Sequence, residues 1–238
     1  MNIIVVIPTY NERENVPLVV PAVLQHGPFR VLIVDDGSPD GTGQVADRLV
    51  SDYPDRVEVL HRKGPRNFGR SYVDGFAHAL GQGADLICQM DADLSHDPKY
   101  LPALVQAADD HDVVVGSRYS PGGSVVNWPL RRLVLSVAAN RYTRAVTRLP
   151  VRDCTSGFRC WRRTALETLP LDRLVSNGYA FQVETLFEAA RRGFRIGEVP
   201  ICFVERRHGR SKLSSGMFLE SALMPWRLLT HGLARKPA

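Results

Sequence analysis

Short apolar runs recur through the first half of the chain, each followed by a polar turn and then by a longer stretch of mixed polarity. Ile3-Ile4-Val5-Val6-Ile7 is wholly apolar and β-branched, which marks a strand buried on both faces. Val31-Leu32-Ile33-Val34, Val57-Glu58-Val59-Leu60, Leu86 to Met90 and Val113-Val114-Val115 repeat the pattern. Helices are predicted between them. They cover Glu14 to about Gln25 (ended by Gly27-Pro28), Gly43 to Val50, a segment capped by Ser71 and running through Leu80 to Gly81 and Gly83, and Pro98 to about Ala108. Alternating strands and helices predict an α/β fold: a single, mostly parallel, Rossmann-like sheet flanked by helices.

The second half carries a different pattern. From Leu130 to Leu149, Leu135, Ala139, Tyr142, Val146 and Leu149 recur at steps of 4, 3, 4 and 3, one helical stripe, with Arg141, Arg144 and Arg148 on the other side. With Trp128 at its start, the stretch of about 128–149 suits a core-facing helix with a solvated basic face. It equally suits a basic amphipathic helix lying in a membrane interface. Phe181 to Arg192 is helical. Met217 to Leu233 is largely apolar but broken by Pro225, Arg227, His231 and Gly232, which fits an interfacial helix better than a span. No uninterrupted apolar stretch approaches the ~20 residues of a transmembrane helix. The organisation expected is one domain over residues 1–215 and an amphipathic segment over 216–238.

Composition narrows the partners. A net charge of +5 and a pI near 9.2 suit an anionic substrate or an anionic membrane surface. Nucleic acid fits poorly, because no basic block is interleaved with aromatics. Cys88, Cys154, Cys160 and Cys202 form no C-x-x-C pair and read as reduced, buried thiols. The chain enters its first strand with no basic region and cleavage site ahead of it, so no signal peptide is expected.

The candidate chemistry follows the strands. Tyr10-Asn11-Glu12, Asp35-Asp36 and Asp91-Ala92-Asp93 each stand just beyond an apolar run. In open α/β sheets ligands bind outside the carboxyl ends of the strands, so three segments should converge on one crevice. Burying the Asp91/Asp93 pair without a cation would cost several kcal/mol. Oxygen ligands of this kind suit Mg²⁺ or Mn²⁺, shared with a substrate's phosphates. A dinucleotide-binding site would need G-x-G-x-x-G after the first strand, where the chain has Pro8-Thr9-Tyr10-Asn11-Glu12. A Walker loop is also absent, so metal and side chains must meet the phosphates.

Taken with Val34-Asp35-Asp36-Gly37-Ser38-Pro39-Asp40-Gly41-Thr42, Met90-Asp91-Ala92-Asp93-Leu94-Ser95-His96, Gly116-Ser117-Arg118-Tyr119 and Ser211-Lys212-Leu213, these motifs make the chain resemble the family 2 glycosyltransferases of GT-A fold. More narrowly it resembles the polyprenyl (dolichyl) phosphate mannose synthases, over about residues 3–215. The resemblance implies that Pro8, Tyr10, Glu12, Val34 and Asp36 line a guanosine pocket. Asp91, Ala92 and Asp93 would meet ribose, diphosphate and metal. Asp93 would be a direct metal ligand. Ser95, which stands where some relatives have a ligating glutamine, would bind through its hydroxyl or a water. His96 reads as a supporting or solvent-facing residue. Arg118, Arg206 and Lys212 would form a cationic clamp on the departing diphosphate, and Arg118, Arg132 and Ser136 would hold the acceptor phosphate. Asp91, Asp93 and Arg118 are the expected catalytic residues.

The implied reaction moves mannose from GDP-mannose to a polyprenyl phosphate with inversion. No general base is nominated, because a phosphate monoester is already an anion near neutral pH. Gln182 is followed by Val183-Glu184-Thr185, so the Q-x-x-R-W motif of processive synthases is absent and single-sugar transfer is expected. The expected setting is peripheral, on the cytoplasmic face of a membrane, with room for a membrane-spanning partner subunit. A UDP-glucose donor is the neighbouring alternative, and a non-catalytic membrane-binding scaffold the remote one.

Overall fold

A computed structural model of the chain describes residues 1–174, 176, 178–205 and 223–230. Among these, seven strands form one sheet in the order β3-β2-β1-β4-β7-β5-β8. Their ranges are β1 Ile3–Thr9, β2 Phe29–Asp35, β3 Val57–His61, β4 Leu86–Gln89, β5 Val113–Ser117, β7 Arg159–Arg162 and β8 Ile196–Pro200. All neighbours pair in parallel except β7, which runs antiparallel to both β4 and β5. β6 (Ser124–Val126) and β9 (Cys202–Val204) form a separate parallel pair.

The five predicted strands are present, each buried on both faces as a central parallel strand must be, with β3 more open at the sheet edge. Helices α1 (Val16–Gln25), α2 (Thr42–Asp52) and α4 (Leu101–Ala107) cover one face, where Val19, Val23, Ala46 and Leu104 join one core cluster with the strands. Helices α3 (Phe68–Gly81), α6 (Arg163–Thr168) and α7 (Tyr179–Arg191) cover the other.

Several boundaries differ from expectation. The third helix starts earlier, at Phe68. Its cap is Asn67, whose side chain accepts from the Arg70 N–H (3.0 Å), while Ser71 sits in the first turn and donates to the Asn67 carbonyl (3.1 Å). The predicted helix from Pro98 opens as a 3₁₀ turn, Pro98–Tyr100, capped by Asp97. Strand β7 was not legible at all. Two arginines bracket its short apolar core, yet Arg159 is fully buried. Its guanidinium donates to Thr185 Oγ1 (3.0 Å) and the Cys154 carbonyl (3.1 Å). Burial pulls its pKa down to about 9, against the attraction of Asp153.

Helix α5 (Leu130–Thr147) decides against the core-facing reading of the stripe. Its buried residues are the polar ones, Asn140, Thr143 and Thr147. Leu130, Val134 and Leu135 are 74%, 57% and 61% exposed, and Ala139 and Tyr142 also face outward. Of the expected stripe only Leu149 is buried, beyond the helix end. A helix over residues 223–230 sends Met224 and Leu228 into the core and leaves Trp226 55% exposed. This part of the expected C-terminal segment is therefore anchored to the domain. No helix of the described residues is long and apolar enough to cross a membrane.

The α3–sheet contact leaves no room for a side chain at Gly75. A Cβ there would lie 2.5 Å from Val6 Cγ1 and 3.0 Å from Val34 Cγ2. Both valines are buried and β-branched, so neither can swing aside. Gly75→Ala is expected to lower unfolding stability by about 1–3 kcal/mol, measured by urea denaturation, whereas an unchanged midpoint would show that α3 slides freely on the sheet.

Candidate functional site

β1 and β4 are neighbours in the sheet, although the chain first winds outward through β2 and β3. This reversal opens a crevice at the carboxyl edge between them, the usual ligand position in such sheets. Val6 pairs with Gln89, and the Met90 N–H continues the ladder to the Val6 carbonyl (3.2 Å). Asp91 therefore emerges beside the loop that follows β1.

On the β1–β2 side, the Ser38–Thr42 turn is a brace. Ser38 Oγ accepts from the Asn11 N–H and Thr42 Oγ1 from the Glu12 N–H, both at 3.0 Å. The hydroxyls are themselves fixed by carboxylates: Ser38 donates to Asp35 Oδ1 (2.6 Å) and Thr42 to Asp40 Oδ1 (2.5 Å). Gly37 and Gly41, at φ 71° and 93°, supply the left-handed backbone the turn needs. Burial disfavours the charged form of Asp40, but the donors of Thr42 and Arg13 outweigh it and hold its pKa below the ordinary value. The Glu12 carboxylate accepts from Asn15 Nδ2 (2.7 Å).

Asp36 is nearly buried and ties down both ends of the basic loop 62–67. It binds the Arg62 guanidinium and accepts from the Asn67 N–H (2.8 Å). The loop places Arg66 over the Tyr10 ring, 4.1 Å from its centroid. The side chains of Val34 and Ala92 lie in the two core clusters, beneath the crevice. Pro8 is half-buried at the crevice edge.

On the β4 side the two aspartates separate. Asp91 accepts from Tyr72 Oη (3.2 Å), and its own N–H donates to His96 Nδ1 (3.2 Å). Its side chain remains about one-third exposed. Asp93 is nearly buried, and its Oδ1 accepts both the N–H (3.1 Å) and the hydroxyl (2.5 Å) of Ser95. Leu94, at φ 59°, makes the tight reversal that permits this. His96 is buried and stacked on Phe158 at 5.1 Å. Burial lowers its pKa against the pull of Asp91 and Asp93, so it is a neutral support for the Asp91 backbone, not a solvent-facing residue.

Beyond β5, Arg118 forms a two-pronged ion pair with Asp153 (Nε–Oδ2 and Nη2–Oδ1, both 2.7 Å). Its guanidinium also lies 5.3–5.6 Å from the ring centroids of Tyr119, Trp128 and Phe203. Arg132 pairs with Glu205 and sits 4.0 Å over Trp128, and Ser136 Oγ accepts from Tyr119 Oη (2.7 Å). Among the described residues the buried Trp128 indole N–H has no acceptor. Arg206 and Lys212, expected in the clamp, lie outside the described residues. Sequence reasoning missed Asp153, Tyr72 and Asn140. A loop aspartate, a helical tyrosine and a helical asparagine carry no pattern of their own.

A mostly parallel sheet with carboxylates at its switch point matches the GT-A fold of glycosyltransferases. The glycosyl transferase family 2 model matches residues 4–169, and the chain belongs to that family. It is 47% identical to a polyprenol monophosphomannose synthase of Mycolicibacterium smegmatis over 92% of this chain and 83% of that one. It is 45% identical to an undecaprenyl-phosphate mannosyltransferase of Micrococcus luteus over 94% and 92%. Among solved structures, a glucosyl-3-phosphoglycerate synthase from Mycobacterium tuberculosis with Mn²⁺, UDP and phosphoglyceric acid superposes with TM-score 0.68 at 20% identity, over 96% of this chain and 78% of that one. A mannosyltransferase from Pyrobaculum calidifontis with GDP-Man and Mn²⁺ gives 0.66 at 18%, over 100% and 65%.

The Asp153 carboxyl is held below its ordinary value of 3.8: burial opposes ionisation, but the Arg118 charge and its hydrogen bonds prevail. A depressed carboxylate stabilises fully above its unfolded pKa and loses that contribution as pH falls through the folded one. Asp153→Asn is therefore expected to cost about 3–5 kcal/mol at neutral pH, by removing the buried countercharge of Arg118. The deficit against wild type should shrink only in acid below the ordinary aspartate range, as followed by urea unfolding across pH.

Proposed function

We propose that the chain transfers mannose from GDP-mannose to a polyprenyl phosphate, inverting the anomeric carbon, with Mg²⁺ or Mn²⁺ at Asp93. The observation that carries this reading is the likeness, across nearly the whole chain, to two bacterial enzymes named for mannosyl transfer to polyprenyl lipids.

The donor set fits a cation completed by substrate. No group of three or more potential ligands among His, Cys, Asp and Glu occurs in the described residues. Mg²⁺ and Mn²⁺ are commonly held by one or two carboxylates with the remaining positions filled by phosphate oxygens and water. Such an ion supplies Lewis-acid stabilisation of the departing diphosphate. Ser95 donates its hydroxyl proton to Asp93 Oδ1, which aims the carboxylate and leaves its oxygen lone pairs to meet the metal directly or through a water. Asp91, more open, faces ribose and diphosphate. Tyr10 offers a ring for the base, and Glu12 and Asp36 offer carboxylate acceptors. Arg118, already paired, acts as a fixed cation, with Arg206 and Lys212 as the further members of the clamp.

The acceptor phosphate belongs at Arg132 and Ser136. Glu205 stands in for an anion on Arg132, and the orphan Trp128 N–H is a donor in want of an anionic oxygen. The outward apolar side of α5 and Trp226 support a membrane surface as the place where the lipid is met. Attachment is peripheral, at the cytoplasmic face, with room for a membrane-spanning partner.

The test is incubation with radiolabelled GDP-mannose, Mn²⁺ or Mg²⁺ and polyprenyl phosphates in detergent. Labelled lipid is expected, and Asp93→Ala should abolish it. Absence of product with every chain length would overturn the reading, and preferential use of UDP-glucose would move the donor assignment. Trp128→Phe keeps the ring and removes the N–H. It should raise KM for the acceptor roughly 10-fold, the scale of a hydrogen bond to a charged group, with KM for GDP-mannose unchanged.

A further inference from the structure

The outward face of α5 changes character along its length. Its first turns expose Leu130, Val134 and Leu135, and its last turns expose Arg141, Arg144 and Arg148. The three arginines, with Ala145 and Leu149, line a shallow depression of about 390 Å³. None of the three forms an ion pair among the described residues, in contrast to Arg132 nearer the site, which is neutralised by Glu205. At 18 residues the helix is about 27 Å long, so apolar and basic ends are far enough apart to meet different surroundings.

Stabilisation of the helix C-terminus accounts for a basic last turn. It does not account for Arg141 a turn earlier, nor for three large aliphatic side chains facing outward at the other end. An apolar patch continuous with an unpaired basic one matches a bilayer interface, where acyl chains and anionic headgroups lie side by side. We propose that Arg141, Arg144 and Arg148 form a docking site for anionic phospholipid headgroups, which holds α5 against the membrane while its Leu130–Leu135 end dips among the acyl chains. The inference rests on the reading of a lipid-linked acceptor. It adds a selectivity for bilayer charge that the reaction itself does not require.

The test is flotation of the full chain with vesicles of phosphatidylcholine alone and of phosphatidylcholine mixed equally with phosphatidylglycerol. Wild type should prefer the anionic vesicles and lose that preference in high salt. Arg141→Gln/Arg144→Gln/Arg148→Gln should bind them on the order of 100-fold more weakly, from the loss of three basic residues near a charged surface. In detergent micelles the same variant should transfer mannose as wild type does, which separates the docking site from the chemistry and reports on folding. Equal partition of wild type onto both vesicle types would overturn the proposal, as would undiminished binding by the triple variant or binding of soluble inorganic phosphate with no preference for anionic vesicles. Failure of wild type to transfer mannose in micelles would instead count against the functional reading.

Discussion

The buried pair of Arg118 and Asp153 holds the second half of the molecule together. The partners stand 35 positions apart, at the end of β5 and just before β7, and everything between them, including α5, is an excursion that this contact closes. A buried ion pair is worth having only when its remaining donors and acceptors are satisfied. Here they are: Asp153 also takes the Arg118 N–H (3.0 Å), and Arg118 Nη2 donates to Thr155 Oγ1 (2.9 Å). From β8, the Glu198 carboxylate accepts the N–H groups of Arg152 (2.9 Å) and Asp153 (3.1 Å). Three strands thus meet at one charge cluster.

The polarity of α5 follows from that cluster. Asn140 donates to Thr155 Oγ1 (3.2 Å) and to the Ser136 carbonyl (2.9 Å), and its Oδ1 accepts the Cys154 N–H (2.8 Å). A helix that must supply an amide to a buried polar network turns its polar side inward. Its apolar residues are left to face out, where exposing them in water is unfavourable. The outward apolar face of α5 is therefore a consequence of how the site is built.

This inversion also shows where sequence reasoning stopped. The parallel strands were legible because wholly apolar β-branched runs have few other uses, and the three polar motifs were legible because each follows such a run. The direction of α5 was not: a stripe of leucine, alanine and tyrosine reads the same whether a core or a membrane lies beyond it. Strand β7 was hidden because its buried arginine is held by Thr185 and the Cys154 carbonyl, partners that only the fold assembles. The Ser38–Thr42 turn lay between. Its residues were visible as turn chemistry, but their work, holding the Asn11 and Glu12 N–H groups, depends on the neighbouring strand.

The two sides of the crevice differ in how firmly they are set. On the β4 side, Asp93 is aimed by Ser95, and Asp91 is held by Tyr72 through its carboxylate and by His96 through its backbone. On the β1–β2 side, Asp36 fixes the ends of the loop 62–67 but not its middle, and Arg66 rests on the Tyr10 ring at 4.1 Å. That spacing admits no base between them. A nucleobase stacked on this face of Tyr10, as proposed, would have to take the place of Arg66. Under the proposed placement of the base, the nucleotide side would therefore have to shift its loop, whereas Asp91 and Asp93 are already held.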